Sequence, residues 1–391
     1  MSATEVPISI TAALCAHAQK FPTAIAIQSE GDSLTYAQLW QRTGGAMQVL
    51  HAAGVRADDR VAWLGLNDAA MLVLLLAMAR LGAILLPLNY RLAHAEHVAI
   101  LQDAQARLLV ADATHHTAAA ALCRASACQL MDATELAGAT GPASAAPDRG
   151  QPHDSVLLVY TSGTTGQAKG ALHSQLALAW NCAMANRALE MFAADRVLTV
   201  LPLFHVGGLC IQTLPALVAG ATVVLHPRFD ALAWLRSVQA EHVTLSVMVP
   251  ATLRAVQEHA DFATADLSSL RMVVAGSSIV PMPLIERLHA RGIPVGQVYG
   301  TTETGPVSIV LGQHDAMRHA GSAGRAAWQA EIRLLYEIQL APDRSRRRSR
   351  PLRTDCDSGA STARDALTVR PGNRRGWFAA PPRRPRTRPG Q

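Results

Sequence analysis

Lysine is almost absent from this chain of 391 residues: of 35 basic side chains only Lys20 and Lys169 are lysines. An arginine bias of this degree fits a GC-rich coding sequence, and it makes a surviving lysine a chemical question. Long hydrophobic runs are absent too. The run MLVLLLAMA (71–79) stops at Arg80 after nine residues, where a membrane span needs about 20. The opening MSATEVPISI has neither the basic n-region nor the apolar h-region of a signal peptide, so a cytoplasmic protein is expected. Six cysteines (15, 123, 128, 182, 210 and 356) show no CxxC and no paired metal spacing. Reduced, mostly buried thiols are the expectation. Charge is sparse at 16% against 50% apolar residues, which excludes disorder for the chain as a whole.

The charge is unevenly placed. Residues 341–391 hold fourteen Arg, no Lys and four Asp, a net +10 in 51 residues, leaving −4 for the first 340. Arg and Pro make up 21 of those last 51 residues. So little apolar surface cannot offset an ordering entropy of about 1–2 kcal/mol per residue, and the tail is expected to be disordered. The chain therefore divides into a body, 1–340, and an Arg/Pro-rich tail, 341–391.

Within the body, apolar runs and punctuation predict an α/β fold. VAWLGL (61–66) reads as a strand; Asp68 caps a helix through Leu81, stopped by Gly82. AILLPL (83–88) is a second strand, a helix near 94–104 follows, and RLLVAD (107–112) is a third. Continuous apolar strands alternating with helices indicate a parallel sheet covered on both faces. Residues 113–154 read as irregular helix and linker. A second series opens at VLLVY (156–160), with strands at RVLTVL (196–201), TVVLH (222–226), VTLSVMV (243–249), RMVVA (271–275) and PVGQVY (294–299). Helices are expected near 174–189, 208–218, 230–240, 251–260 and 281–290. The prediction is two successive parallel-sheet α/β subdomains.

Three loops carry the chemistry. YTSGTTGQAKG (160–170) follows a strand and precedes a helical pattern. Its glycines permit close backbone approach, its hydroxyls add to the backbone N–H groups, and Lys169 supplies a cation, which together suit a polyphosphate. It is not GxxxxGK[ST], because Lys169 lies three residues after Gly166 and directly before Gly170. AGSSIVP (275–281) and YGTTETG (299–305) also leave strand ends. Ligands in open parallel sheets bind at the carboxyl ends of strands, so one shared cleft is expected. Glu303 offers a carboxylate to Mg²⁺, which takes one or two such ligands plus phosphate oxygens. Tyr299 offers a flat face to a base.

YTSGTTGQAKG together with YGTTET resembles the adenylate-forming superfamily of acyl-CoA synthetases, luciferases and peptide-synthetase adenylation domains. LTYAQL (34–39), AMARLGAILLPLNYRL (77–92), LPLFHVGG (201–208) and GSAGR (321–325) agree with it. The likeness runs over roughly 8–335 and is strongest to bacterial acyl-CoA synthetases. It implies a carboxylate–CoA ligase using ATP, Mg²⁺ and CoA, acting on a small carboxylic acid: acyl-AMP forms with loss of pyrophosphate, then CoA displaces AMP. By this resemblance Thr161, Ser162, Gly163, Thr164, Thr165, Gly166 and Lys169 form the phosphate loop. Ser277, Ser278 and Ile279 line the adenine and Tyr299 stacks on it. Thr302 bonds the α-phosphate, Glu303 holds Mg²⁺, and His205 sits beside the acyl carboxylate. Medium acyl chains and aryl acids are not separated by the residues. Adenylation is an in-line displacement governed by positioning and charge, so the missing G-x-S-x-G elbow is no obstacle.

The family pattern breaks after EIRLL (331–335). The resemblance calls there for a TGD aspartate on the ribose, a hinge arginine and a C-terminal domain with a lysine reaching the α-phosphate. IQLAPDRSRRRSRPLRT (338–354) has no such motif, and no lysine follows Lys169. A reading frame disrupted near residue 336 would produce this tail and leave an impaired ligase, or a non-catalytic remnant that binds ATP or an acyl group. A genuine basic tail that binds nucleic acid is the competing reading, but the tail has no repeat and little aromatic interleaving, so no nucleic-acid partner is expected. No membrane span is expected either, and a homo-oligomer stays open.

Overall fold

The computed structural model describes residues 9–139, 149–161, 168–335 and 366–371. Helix α1 (Ile10–Lys20) leads into strands β1 (Ile25–Ser29) and β2 (Asp32–Thr35) and helix α2 (Tyr36–Ala52). The alternating series follows as β3 (Arg60–Leu64), α3 (Ala69–Leu81), β4 (Ile84–Pro87), α4 (His94–Asp103) and β5 (Leu108–Ala111). Then come α5 (His116–Ser126), β6 (Gln129–Asp132) and α6 (Ala133–Ala137). Strands β7 (Ser155–Thr161) and β8 (Lys169–Ser174) precede α7 (Gln175–Ala188). The remaining strands are β9 (Arg196–Thr199), β10 (Thr222–Leu225), β11 (Leu245–Met248), β12 (Met272–Gly276), β13 (Val295–Thr301), β14 (Gly305–Leu311), β15 (Arg325–Ala326), β16 (Ala330–Leu335) and β17 (Ala366–Pro371).

Local signals hold where side chains act on their own backbone. Asp68 accepts a hydrogen bond from the Ala70 N–H at the start of α3, and Gly82 ends that helix at φ 71°, the left-handed geometry that favours glycine. Every residue of α3 from Ala70 to Leu81 is buried. A helix apolar on all faces, as this one is from Ala69 to Ala79, must be enclosed by protein. Its side chains share one core with apolar residues of both sheets, among them Leu85 of β4 and Val197 of β9.

The two sheets differ from the expected division in strand allotment. One has the order β6-β5-β3-β4-β7-β8 and the other β15-β14-β13-β12-β11-β9-β10-β1-β2. Strand β7, which opens the second series in sequence, belongs to the first sheet through its parallel pairing with β4. Conversely β1 pairs in parallel with β10, so the N-terminal segment completes the second sheet. The Tyr36 hydroxyl reinforces this by donating to Leu217 O (3.1 Å) and Ala221 O (2.8 Å). One further correction applies. The stretch 113–154 is not only helix and linker, since β6 pairs in parallel with β5. Within the tail, the backbone of Ala366–Pro371 pairs antiparallel with Ala330–Leu335, while 341–365 and 372–391 lie outside the described residues.

Candidate active site

Every loop singled out by sequence lies at a carboxyl strand end. Three contacts stitch the ends of one sheet to those of the other. The first is made by Asn67, after β3. Its Nδ2 donates to Leu201 O (3.1 Å) and His226 O (3.0 Å), and its Oδ1 accepts from the Leu203 N–H (2.8 Å). The second joins Tyr90, after β4, to Phe204, after β9, as an edge-to-face ring pair with centroids 5.3 Å apart. The third joins Thr161, at the end of β7, to Glu303, in the turn after β13: the hydroxyl donates to Glu303 Oε1 at 3.4 Å. The expected shared cleft is therefore an inter-sheet seam.

The phosphate-loop segment is the connection of an antiparallel hairpin, with Thr161 opposite Lys169 and Tyr160 opposite Gly170. The helix expected near 174–189 is present, and a strand that the sequence reading did not mark, β8, stands between it and the loop. Helix α7 starts at Gln175, capped by Ser174, so its N-terminus lies six residues beyond Lys169. Any anion held here relies on loop amides, hydroxyls and the lysine rather than on a helix dipole. Ser162, Gly163, Thr164, Thr165 and Gly166 lie outside the described residues. Thr161 is half-buried and also donates to Lys169 O at 3.4 Å; Lys169 itself is exposed.

Parallel pairing of β12 and β13 sets Gly276 beside Val298, so Ser277, Ser278 and Ile279 leave the sheet next to Tyr299. Ser277 holds φ 69°, a conformation that costs a side chain energy and clusters at functional positions. Ile279 is 93% exposed and Tyr299 40% exposed, so the connection that follows β12 and the end of β13 each present an apolar surface. A bulge between Tyr299 and Thr301 bends the strand end. Gly300 lies there so close to β14 that a Cβ would sit 2.3 Å from Pro306 O. Beyond the bulge, Thr304 Oγ1 lies 3.2 Å from both Thr301 Oγ1 and Ser308 Oγ. This hydroxyl network braces the turn that presents half-buried Thr302 and exposed Glu303. One Glu303 oxygen meets Thr161, and the exposed carboxylate remains open to a cation. Among the described residues no group of three or more His, Cys, Asp or Glu could hold a metal. A single carboxylate suits Mg²⁺ that takes its other ligands from phosphate and water.

His205 stands on the adjoining wall, its ring 4.6 Å from that of Phe204. Sequence reasoning missed its neighbour Arg91, whose guanidinium lies over Tyr90 (5.3 Å) and Phe204 (6.0 Å). The available signal was NYR directly after β4, a carboxyl strand end. The His205 ring reaches the cleft surface, yet the protein around it holds its pKa below the ordinary imidazole value, and the Arg91 charge adds to this. It is neutral at pH 7, able to donate at one nitrogen and accept at the other. No contact joins it to Thr161 or Glu303. A second missed residue is His173 in β8, 3% exposed, with Nε2 unpartnered. Burial lowers its pKa, and the nearby Glu303 charge opposes this more weakly.

Residues 14–344 match the family model of AMP-binding enzymes. The chain belongs to this family. Among its AMP-binding relatives, indoleacetate–CoA ligase of Aromatoleum aromaticum is 44% identical over 334 residues, 82% of this chain and 65% of that protein. Feruloyl-CoA synthase of an Amycolatopsis species is 39% identical over 318 residues, 81% of this chain and 64% of that one. The chain thus spans just under two thirds of the length of these CoA ligases. Among solved structures, the inhibitor-bound N-terminal domain of FACL13 from Mycobacterium tuberculosis superposes with a TM-score of 0.77 at 30% identity, covering 83% of each chain. The chain has no helix among its described residues long and apolar enough to cross a membrane.

Proposed function

We propose that residues 1–340 form the adenylating body of an ATP-dependent carboxylate–CoA ligase, and that the substrate is an aryl-substituted acid. The observation that carries the reading is the Thr161–Glu303 contact, which sets the base of the hydroxyl-rich loop against the carboxylate turn. The two CoA-ligase relatives named for indoleacetate and ferulate support the aryl acid, as does the aromatic wall of Tyr90 and Phe204.

The chemistry asked of the site is an attack by a carboxylate oxygen on the α-phosphorus of ATP, with pyrophosphate leaving in line. Two anions must be brought together, so the protein supplies positive charge, hydrogen-bond donors and alignment. In this reading Lys169 and the loop from Thr161 to Gly166 grip the phosphates, and Thr302 donates to the α-phosphate. Ser277, Ser278 and Ile279 flank the adenine while Tyr299 covers it. Neutral His205 donates to the acid without repelling Arg91. Glu303 would hold Mg²⁺, which supplies charge neutralisation on the phosphate oxygens. The CoA sulfur then attacks the acyl carbon and AMP departs.

Residues 336–391 hold neither a TGD motif nor a lysine, which favours a slow or absent complete reaction in these 391 residues. Losing one transition-state donor typically costs about 10²–10³ in rate. The test is ATP–pyrophosphate exchange with indoleacetate, ferulate and medium-chain fatty acids, beside thioester formation with CoA. Acid-dependent exchange outpacing thioester formation is expected. ATP–Mg²⁺ binding by calorimetry without exchange would make the chain a binding remnant, and absence of binding would overturn the nucleotide reading.

A further inference from the structure

The strongest unassigned chemistry lies away from the cleft, at the end of α5. There the left-handed turn at Ala127 (φ 57°) reverses the chain into β6. Pairing of Gln129 with Leu108 fixes the strand, and the reversal leaves Cys123 Sγ and Cys128 Sγ 3.2 Å apart. Both are free thiols, Cys123 buried and Cys128 half-buried. Ser126 Oγ lies 3.4 Å from Cys128 Sγ, and Cys123 Sγ lies 3.5 Å from Gln129 O. We infer that Cys123 and Cys128 form a peroxide-responsive thiol pair that closes to a reversible disulfide.

Bonded sulfurs sit about 2.05 Å apart, so closure needs an approach of roughly 1 Å, within reach of side-chain rotation. The half-buried and the buried partner have different parts. Its hydrogen bond with Cys123 holds Cys128 below an ordinary cysteine pKa; burial opposes this and Ser126 supports it. That favours the thiolate, the attacking form. The Cys128 sulfur attacks one oxygen of hydrogen peroxide; the O–O bond breaks, hydroxide leaves and is protonated to water, and Cys128 becomes a sulfenic acid. The Cys123 sulfur then attacks the Cys128 sulfur. The S–S bond forms, the S–O bond breaks, and the departing hydroxyl takes the Cys123 proton as a second water. Two thiols lose two electrons and the peroxide gains them.

Other thiols of the chain serve as controls. Cys182 and Cys210 are buried, whereas Cys15 is half-buried and accepts a hydrogen bond from Gln19 Nε2 at 3.5 Å. Arg124 separates the pair in sequence, so trypsin cuts the chain between them. Peptides 108–124 and 125–149 stay together only through a disulfide. The full chain is treated with stoichiometric hydrogen peroxide, quenched with N-ethylmaleimide, digested and weighed. The expected result is the joined peptide pair, lighter by two hydrogens than its separate thiols and released by dithiothreitol. Before oxidation, Cys128 should react with iodoacetamide about tenfold faster than Cys15 at pH 7. In Cys123→Ser, dimedone should trap Cys128 as a sulfenic acid. Separate peptides under conditions that oxidise Cys15, or linkage of Cys128 to a second chain, would overturn the proposal.

Discussion

Removing the Asn67 side chain tests how the seam is held. Asn67→Ala deletes three buried hydrogen bonds, at 3.1, 3.0 and 2.8 Å, to backbone groups of Leu201, His226 and Leu203. A net of about 1 kcal/mol each gives roughly 3 kcal/mol. The Asn67 N–H bond to Pro227 O survives the change. For a body of this size, about 1.4 °C per kcal/mol puts the fall in Tm near 4 °C, taking roughly 2.1 cal/mol/K of unfolding entropy per residue. The local signature is sharper. The Leu203 N–H loses its acceptor, and about 3 kcal/mol corresponds to a rise in its exchange rate of about 10². Asn67→Asp keeps that acceptor but turns a carboxylate toward the carbonyls of Leu201 and His226, so it should cost at least as much. Calorimetry and site-resolved hydrogen exchange read both variants. An Asn67→Asp protein as stable as the parent, or Leu203 protection unchanged in Asn67→Ala, would refute the account of Asn67 as the tie between the sheets.

Other expectations follow from the same geometry. Lys169→Ala should weaken ATP binding roughly 10- to 100-fold, as loss of a charged hydrogen bond of about 1.5–3 kcal/mol implies, and equal affinity by calorimetry would remove the loop from the site. Glu303→Gln should lower pyrophosphate exchange by about 10²–10³ while leaving Tm close to the parent's, since the residue is exposed. Gly300→Ala places a Cβ 2.3 Å from Pro306 O, so it should destabilise by about 1–3 kcal/mol in denaturant titration. Burial depresses the pKa of His173 and His226, so the unfolded chain binds more protons below its own pKa, near 6.5. Stability should be full above pH 6.5 and fall as pH drops toward the folded pKa values; His173→Gln should flatten that fall, and an identical slope would contradict it.

What could be read from sequence was whatever is decided locally. Asp68 and Gly82 bound α3 because a cap and a left-handed stop act within one turn of backbone. Apolar runs marked β3, β4, β5 and β9 to β13 because a parallel strand is buried on both faces. Allotment to sheets is decided at long range and was not legible. β7 looks like the start of the second series, but its partner is β4, and β1 finds its partner nearly 200 residues away in β10. The hairpin of β7 and β8 was missed for a related reason. KGALHS is exposed or half-buried except at His173 and has no apolar run to mark a strand between the Gly-rich loop and α7. β6 escaped because QLMD is short and lies at a sheet edge. Arg91 and His173 escaped because neither sits in a loop rich in small residues; their proximity to His205 and Glu303 comes from strand order.

That long-range allotment is also what makes the site chemically plausible. The proposed adenylyl transfer to a carboxylate needs a cation, a metal-holding carboxylate and hydroxyl donors around one point, and no single loop of this chain has them all. Lys169 and Thr161 come from the first sheet, Glu303, Thr302 and Tyr299 from the second. Had β7 followed the sequence order into the second sheet, the loop and the TTET turn would share one rigid edge, with their separation set by strand spacing alone. With β7 in the first sheet, their separation depends on the packing of α3 and on the contacts of Asn67, Tyr90 and Thr161. A substitution in the buried face of α3, such as Leu74→Ala, should therefore do more than the 2–5 kcal/mol of damage that a core cavity brings. It should also loosen the Thr161–Glu303 approach and raise the Kd for ATP–Mg²⁺ at temperatures where the variant is still folded. A stable Leu74→Ala protein with parental affinity would show that the seam is set by the loops themselves and not by the core beneath them.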